Sequence, residues 1–116
     1  MIEQWLAEVK KSADPEGLGM VLVHNGVVRG TSKQGKPVRG MDLSYDEEKL
    51  QRLVSEQKRK DGIVDIKVWI NRGELKVGDD IMLVLVAGRF RTDVIPVFES
   101  LLSTIKGEIV NERELG

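Results

Sequence analysis

Residues Ile63 to Lys106 read IVDIKVWINRGELKVGDDIMLVLVAGRFRTDVIPVFESLLSTIK, and the fold turns on how this stretch is divided. Val64, Ile66, Val68 and Ile70 alternate as one face of a strand, whereas Ile81 to Ala87 is apolar on both faces and suits a central strand covered from both sides. Between them, Asn71 to Asp80 is a basic and acidic segment that reads as an irregular hairpin. After Gly88-Arg89-Phe90-Arg91, the residues Val94, Ile95, Phe98, Leu101, Leu102 and Ile105 recur at the spacing of one helix face. Burying six such side chains is worth on the order of 10 kcal/mol before chain entropy is set against it. That helix is therefore expected in the core, with Arg89 and Arg91 held before it and Lys106 after it.

With 116 residues the chain is expected to form one domain over 1–116, large enough to bury a core without staples. It has no cysteine, which excludes disulfides, thiolate metal sites and cysteine catalysis. Eighteen basic and nineteen acidic residues give a net charge of −1, so no global field favours nucleic acid or membrane, and any anion site must be local. Glu3 and Glu8 interrupt the N-terminal region, which reads as neither signal nor membrane span. A soluble, cytoplasmic protein is expected.

Working outward, Ile2, Trp5, Leu6 and Val9 form a helical stripe ended by Asp14-Pro15-Glu16-Gly17. Met20 to Arg29 reads as a strand with a bulge at Asn25-Gly26. Gly30 to Pro37 is a basic, glycine-rich loop that nearly spells a phosphate-binding P-loop, but Pro37 stands where that motif needs Ser or Thr. A lid carrying Lys33 and Lys36 toward an anion is the other functional reading of this loop. Met41, Leu43 and Tyr45 alternate as a strand, Asp46 caps a helix reaching about Lys60, and Asp61-Gly62 ends it. Gly107 is read as the C-cap of the long helix, and Glu108 to Glu114 as a last edge strand whose charges discourage aggregation. The order helix, strands, helix, strands, helix, strand lacks the regular alternation of a doubly wound sheet. An α+β fold with a mainly antiparallel sheet and three helices is expected.

His24, the only histidine, lies in an apolar strand context and reads as structural. Glu74, Asp79 and Asp80 read as turn chemistry in preference to a metal site. The basic residues Arg29, Arg39, Arg89, Arg91, Lys106 and Arg113 mostly fall at element ends near glycines, a placement that suits a phosphate or carboxylate ligand.

Gly26-Val27-Val28-Arg29-Gly30, Leu43-Ser44-Tyr45 and the hairpin Arg72-Gly73-Glu74-Leu75-Lys76-Val77-Gly78-Asp79-Asp80, followed by the apolar strand, Arg89, the long helix and Lys106, together resemble the large, catalytic subunit of molybdopterin synthase. The resemblance spans roughly Gly17 to Glu114. It implies an α/β hammerhead-like fold and a homodimer within a heterotetramer. The implied partner is a ubiquitin-like small subunit whose C-terminal thiocarboxylate inserts into the large subunit. It also implies sulfur transfer to cyclic pyranopterin monophosphate, a small phosphorylated pterin, to form the dithiolene of molybdopterin. No cofactor and no metal is implied for the chain itself, because the metal enters later. Carried over by position, Arg29 and Arg89 bind substrate and Lys106 is catalytic, as nucleophile toward the thiocarboxylate or as proton carrier. Arg39, Arg91 and Arg113 complete the basic set.

The chain departs from the family pattern at two places. Where the family usually carries His-Arg-x-x-Ala-Phe, it has Gly88-Arg89-Phe90-Arg91-Thr92-Asp93; where a second lysine stands in the last strand, it has Glu112 or Arg113. Two readings follow, an enzyme or a noncatalytic dimeric module that binds a sulfur carrier or an anionic metabolite. The enzyme requires Arg29, Arg89 and Lys106 to converge on one pocket, completed across the dimer.

Overall fold

The computed structural model describes residues 1–116. Ten elements follow one another: α1 (Ile2–Ser12), β1 (Met20–Val27), β2 (Gly40–Tyr45), α2 (Glu47–Lys58), β3 (Ile63–Ile70), β4 (Gly73–Lys76), β5 (Asp80–Gly88), α3 (Arg91–Thr104), a π turn (Ile105–Ile109) and β6 (Val110–Leu115). The fold is α+β, as the element order predicted. Two three-stranded antiparallel sheets are formed, ordered β1-β5-β3 and β4-β2-β6.

The uniformly apolar β5 is the middle strand of the first sheet because only a position covered on both faces tolerates that composition. Met82, Val84 and Val86 join the main core with Val94, Val97, Leu101 and Ile105 of the long helix. Leu85 and Ala87 point the other way, onto Val9 of α1. Asp46 caps α2 by accepting from the Lys49 amide at 3.1 Å, and Leu50 is its buried anchor. The bulge at Asn25-Gly26 is present as a register shift between Gly26 and Val27.

Four expectations are corrected. A second bulge between Ile63 and Asp65 breaks the alternation of β3, so that Val64 packs with α1 while Ile63 joins the main core. On α3 the buried stripe is Val94, Val97, Leu101 and Ile105, flanked by Phe98 and Leu102, and Ile95 is exposed; one residue is about 100° of helix rotation, which carries a neighbour off the buried face. The segment between β3 and β5 is not a hairpin of the first sheet, because its Gly73–Lys76 strand leaves to pair with β2. Gly107 is no left-handed cap: it has no positive φ and lies inside the π turn.

Candidate functional site

The frame of the site is set by β5 and α3, which run in opposite directions. From Ile81 to Arg89 the strand advances about 26 Å, and the 14 residues of α3 return about 21 Å. The chain after α3 is thereby brought back to the end of the sheet where β5 begins. There the π turn widens the helix by one residue, closed by the Val110 amide donating to the Ile105 carbonyl. Ile105 and Ile109 are buried at its two ends, the Asp46 amide donates to the Ile109 carbonyl at 3.1 Å, and Lys106 projects between these anchors into solvent. A free side chain thus stands on a fixed backbone.

Lys106 faces an open cavity of about 590 Å³ whose walls also include Arg29, Lys33, Ile81 and Glu112. Arg29 follows β1, and its Nε donates to the Thr31 carbonyl at 2.9 Å, which orients the guanidinium and leaves its terminal nitrogens unspent. Lys33 arrives on the loop after Arg29. That loop is a tight hairpin closed by a bridge between Thr31 and Pro37 and by the Ser32 amide bonded to the Lys36 carbonyl at 2.9 Å. The strand β2 follows it, where a P-loop would open a helix. No carboxylate lies within 4 Å of Arg29, Lys33 or Lys106, so all three charges are available to a ligand.

The other basic residues go elsewhere. Arg89 is at the far end of β5, where its Nε donates to Asp93 Oδ2 at 3.2 Å and a terminal nitrogen lies 3.5 Å from Asp61. Hydrogen bonding and charge from Asp93, with Asp61 beyond, raise its already high pKa. Arg91 is exposed at the same end, on the first turn of α3. Arg39 donates to the Gly116 carbonyl at 2.8 Å beside β4. Arg113 is on the outer face of the second sheet, 3.4 Å from its cross-strand neighbour Asp42. One chain therefore brings together Arg29 and Lys106 of the expected set, adds Lys33, and leaves Arg89, Arg91, Arg39 and Arg113 outside.

Two further side chains bear on Lys106 and the cavity: His24, read from the sequence as structural and lying outside the cavity wall, and Glu112, read as one of two residues standing in place of the second lysine. His24 is half-buried on the core-facing side of β1; desolvation, and then the charge of Lys106, lower its pKa below the ordinary 6.5. Neither ring nitrogen has a hydrogen-bond partner within the chain. Glu112 is the second. In β6 it lies opposite Leu43, so its side chain is on the inner face of the second sheet, where the pattern of β2 is apolar. Its Oε1 is buried without a partner, and such an orphaned oxygen costs about 1–3 kcal/mol. Glu112 and Glu114 turn inward to line the cavity, so they are not the edge-protecting charges expected from the sequence. The alternation of β6 was the signal that could have located Glu112.

A family model described as MoaE protein matches residues 2–108. An uncharacterized protein of Methanocaldococcus jannaschii is 30% identical over an aligned length of 92 residues, with 76% of this chain and 77% of that one covered. Among solved structures, molybdopterin synthase from Staphylococcus aureus has a TM-score of 0.79 at 21% identity, covering 99% of this chain and 84% of the other. The molybdopterin biosynthesis MoaE protein from Burkholderia ambifaria has a TM-score of 0.77 at 22% identity, with 99% and 82% covered. A chain from the complex of subunits 1 and 2 of molybdopterin-converting factor from Helicobacter pylori has a TM-score of 0.76 at 17% identity, with 97% and 74% covered. At these identities the structural likenesses show a shared fold.

Proposed function

We propose that this chain, which belongs to the MoaE protein family, acts in molybdenum cofactor biosynthesis as the sulfur-transferring large subunit of a molybdopterin synthase. The observation that carries the reading is the convergence of Lys106 and Arg29, from elements far apart in sequence, on one open cavity with neither charge paired. An arginine beside a lysine fits a substrate phosphate, with the guanidinium supplying paired donors.

The partner is a ubiquitin-like small subunit ending in a glycine thiocarboxylate, a reading supported by the two-subunit complex from Helicobacter pylori. In each transfer the thiocarboxylate sulfur bonds to a carbon of cyclic pyranopterin monophosphate and a C–O bond at that carbon breaks, its oxygen leaving either on the phosphate, which opens the cyclic ester, or as water. The C–S bond to the carrier carbonyl then breaks, and the carbonyl passes to water, directly or by way of the Lys106 amine. The carrier leaves as a carboxylate. Arg29 and Lys33 hold the anion, and Lys106 attacks the carbonyl or moves the proton of the attacking group.

Arg89 joins this site from a second copy of the chain in a homodimer. Its distance along β5 bars it from the cavity of its own chain, and beside it Phe90 and Ile95 are 60% and 38% exposed, apolar surface of the kind a subunit contact covers. The reading as a noncatalytic carrier-binding module draws on Gly88 in place of the histidine, and Glu112 or Arg113 in place of the second lysine, of the family pattern that the sequence resembles. Single-turnover transfer separates the two. Purified protein, a thiocarboxylated small subunit and the pyranopterin precursor are mixed, and dithiolene product is assayed beside Lys106→Ala. Product that vanishes in the variant is expected; carrier binding without product makes the chain the noncatalytic module.

A further inference from the structure

Glu112 gives the cavity a feature that a purely cationic site lacks. Arg29, Lys33 and Lys106 supply positive charge along the walls, whereas two carboxylates come from the inner face of β6, the exposed Glu114 and the partly buried Glu112. Glu112 Oε1 is shielded from solvent and receives no hydrogen bond. None of the three cations is within 4 Å of it, so it is not consumed by the groups that would most readily neutralise it. The adjacent Arg113 is turned outward to Asp42, which settles which of the two residues occupies the cavity. A sheet position opposite buried Leu43 would ordinarily carry an apolar side chain. A carboxylate kept there without a donor is complementary to a ligand that brings one.

We propose that Glu112 is a specificity-determining residue that reads the N–H and amino edge of a phosphorylated aminoheterocycle, while Arg29, Lys33 and Lys106 take its phosphate. The inference rests on the substrate class proposed above and assigns a residue to the heterocycle. With the Glu112 side chain turned so that the shielded oxygen also faces the cavity, its carboxylate accepts two parallel hydrogen bonds from a ring N–H and the neighbouring exocyclic amine, the pair of donors that a 2-amino-4-oxopyrimidine ring presents. A phosphate alone cannot use it, because carboxylate and phosphate repel. Selectivity for the heterocycle over free phosphate is the consequence.

Calorimetric titration with two probes, neopterin monophosphate and inorganic phosphate, tests this on the parent chain and on Glu112→Gln and Glu112→Lys. In Glu112→Gln the affinity for neopterin monophosphate is expected to fall about 10-fold or more, because the amide turns a donor toward donors and loses the charge. Phosphate affinity is expected to hold or rise. In Glu112→Lys the two probes should bind with similar affinity. An unchanged or tighter fit of neopterin monophosphate to Glu112→Gln, with the parent binding both probes, overturns the role of Glu112 and leaves the proposed function standing. If the parent binds neither probe, the anion-binding reading of the cavity fails and this inference fails with it.

Discussion

Arg89 and Asp93, four residues apart across the start of α3, are joined by a 3.2 Å contact from the guanidinium Nε to the carboxylate, and the same carboxylate lies over the α-carbon of Gly62. A methyl group at Gly62 would collide with the Asp93 side chain, and the backbone there has φ +81°. Gly35 has nearly the same backbone, φ +80°, with nothing within 4 Å of where a methyl would stand. The pair separates backbone strain from packing. Gly35→Ala should cost about 1 kcal/mol for the left-handed conformation alone, and Gly62→Ala about 2–4 kcal/mol. Urea unfolding of both variants gives the difference; equal costs would mean that the Asp93 carboxylate moves aside freely.

Gly88, which the sequence resemblance sets against a histidine, stands where the packing leaves no room for a side chain. A β-carbon there would come 2.5 Å from the Gly62 carbonyl oxygen and 2.6 Å from Val94 Cγ2, both in a well-packed corner. Gly88→His is therefore expected to lower the unfolding midpoint by about 5 °C or more, as a loss of several kcal/mol in a chain of this size requires. It should not raise sulfur-transfer activity. A stable, more active Gly88→His would show that the corner opens easily.

The fold was largely legible because its main signals are local. The doubly apolar run at Ile81 to Ala87, the Asp46 cap and the breakers after Val9 each act within a few residues, and each appears as read. What was not legible depends on partners distant in sequence. Val64 changes face because β3 bulges against β5, and Gly73–Lys76 pairs with β2, some 30 residues before it. The site divides in the same way. Arg29 and Lys106 were legible as members of a basic set at element ends, to which the family resemblance gave roles, whereas His24 and Glu112 gain their meaning only when β1, β6 and the π turn meet.

Gly107 provides a test of the turn that carries Lys106. A left-handed C-cap glycine loses stability when it becomes alanine, but Gly107 has no positive φ and nothing within 4 Å of a built β-carbon. Gly107→Ala should leave stability unchanged or raise it by up to about 1 kcal/mol, through the lower entropy of the unfolded chain. Thermal unfolding measures it. A drop of that size would mean that the helix ends in solution on a left-handed residue.

The proximity of His24 to Lys106 makes stability depend on pH in a stated direction. The native pKa of His24 is depressed below 6.5, by burial first and by Lys106 second, so on acidification the unfolded chain takes up this proton before the native one does. The contribution is fully present above about pH 6.5 and is lost as pH falls through the lower native value. His24→Gln removes it. Urea midpoints of parent and variant, compared at pH 7.5 and pH 5, should diverge, with the parent losing more in acid; parallel curves would show that His24 titrates as it does in the unfolded chain.

Lys106→Arg distinguishes a reacting amine from a fixed charge. Arginine preserves the cation between buried Ile105 and Ile109 and retains donors for phosphate, but it does not give up its proton under working conditions. Phosphate affinity should therefore stay within about 3-fold of the parent, since a charge remains at the site. Single-turnover product formation should fall at least about 100-fold, the scale of a lost proton-transfer or nucleophilic group. Full activity with arginine would mean that Lys106 contributes only charge, and the attack on the thiocarboxylate carbonyl would then fall to water alone.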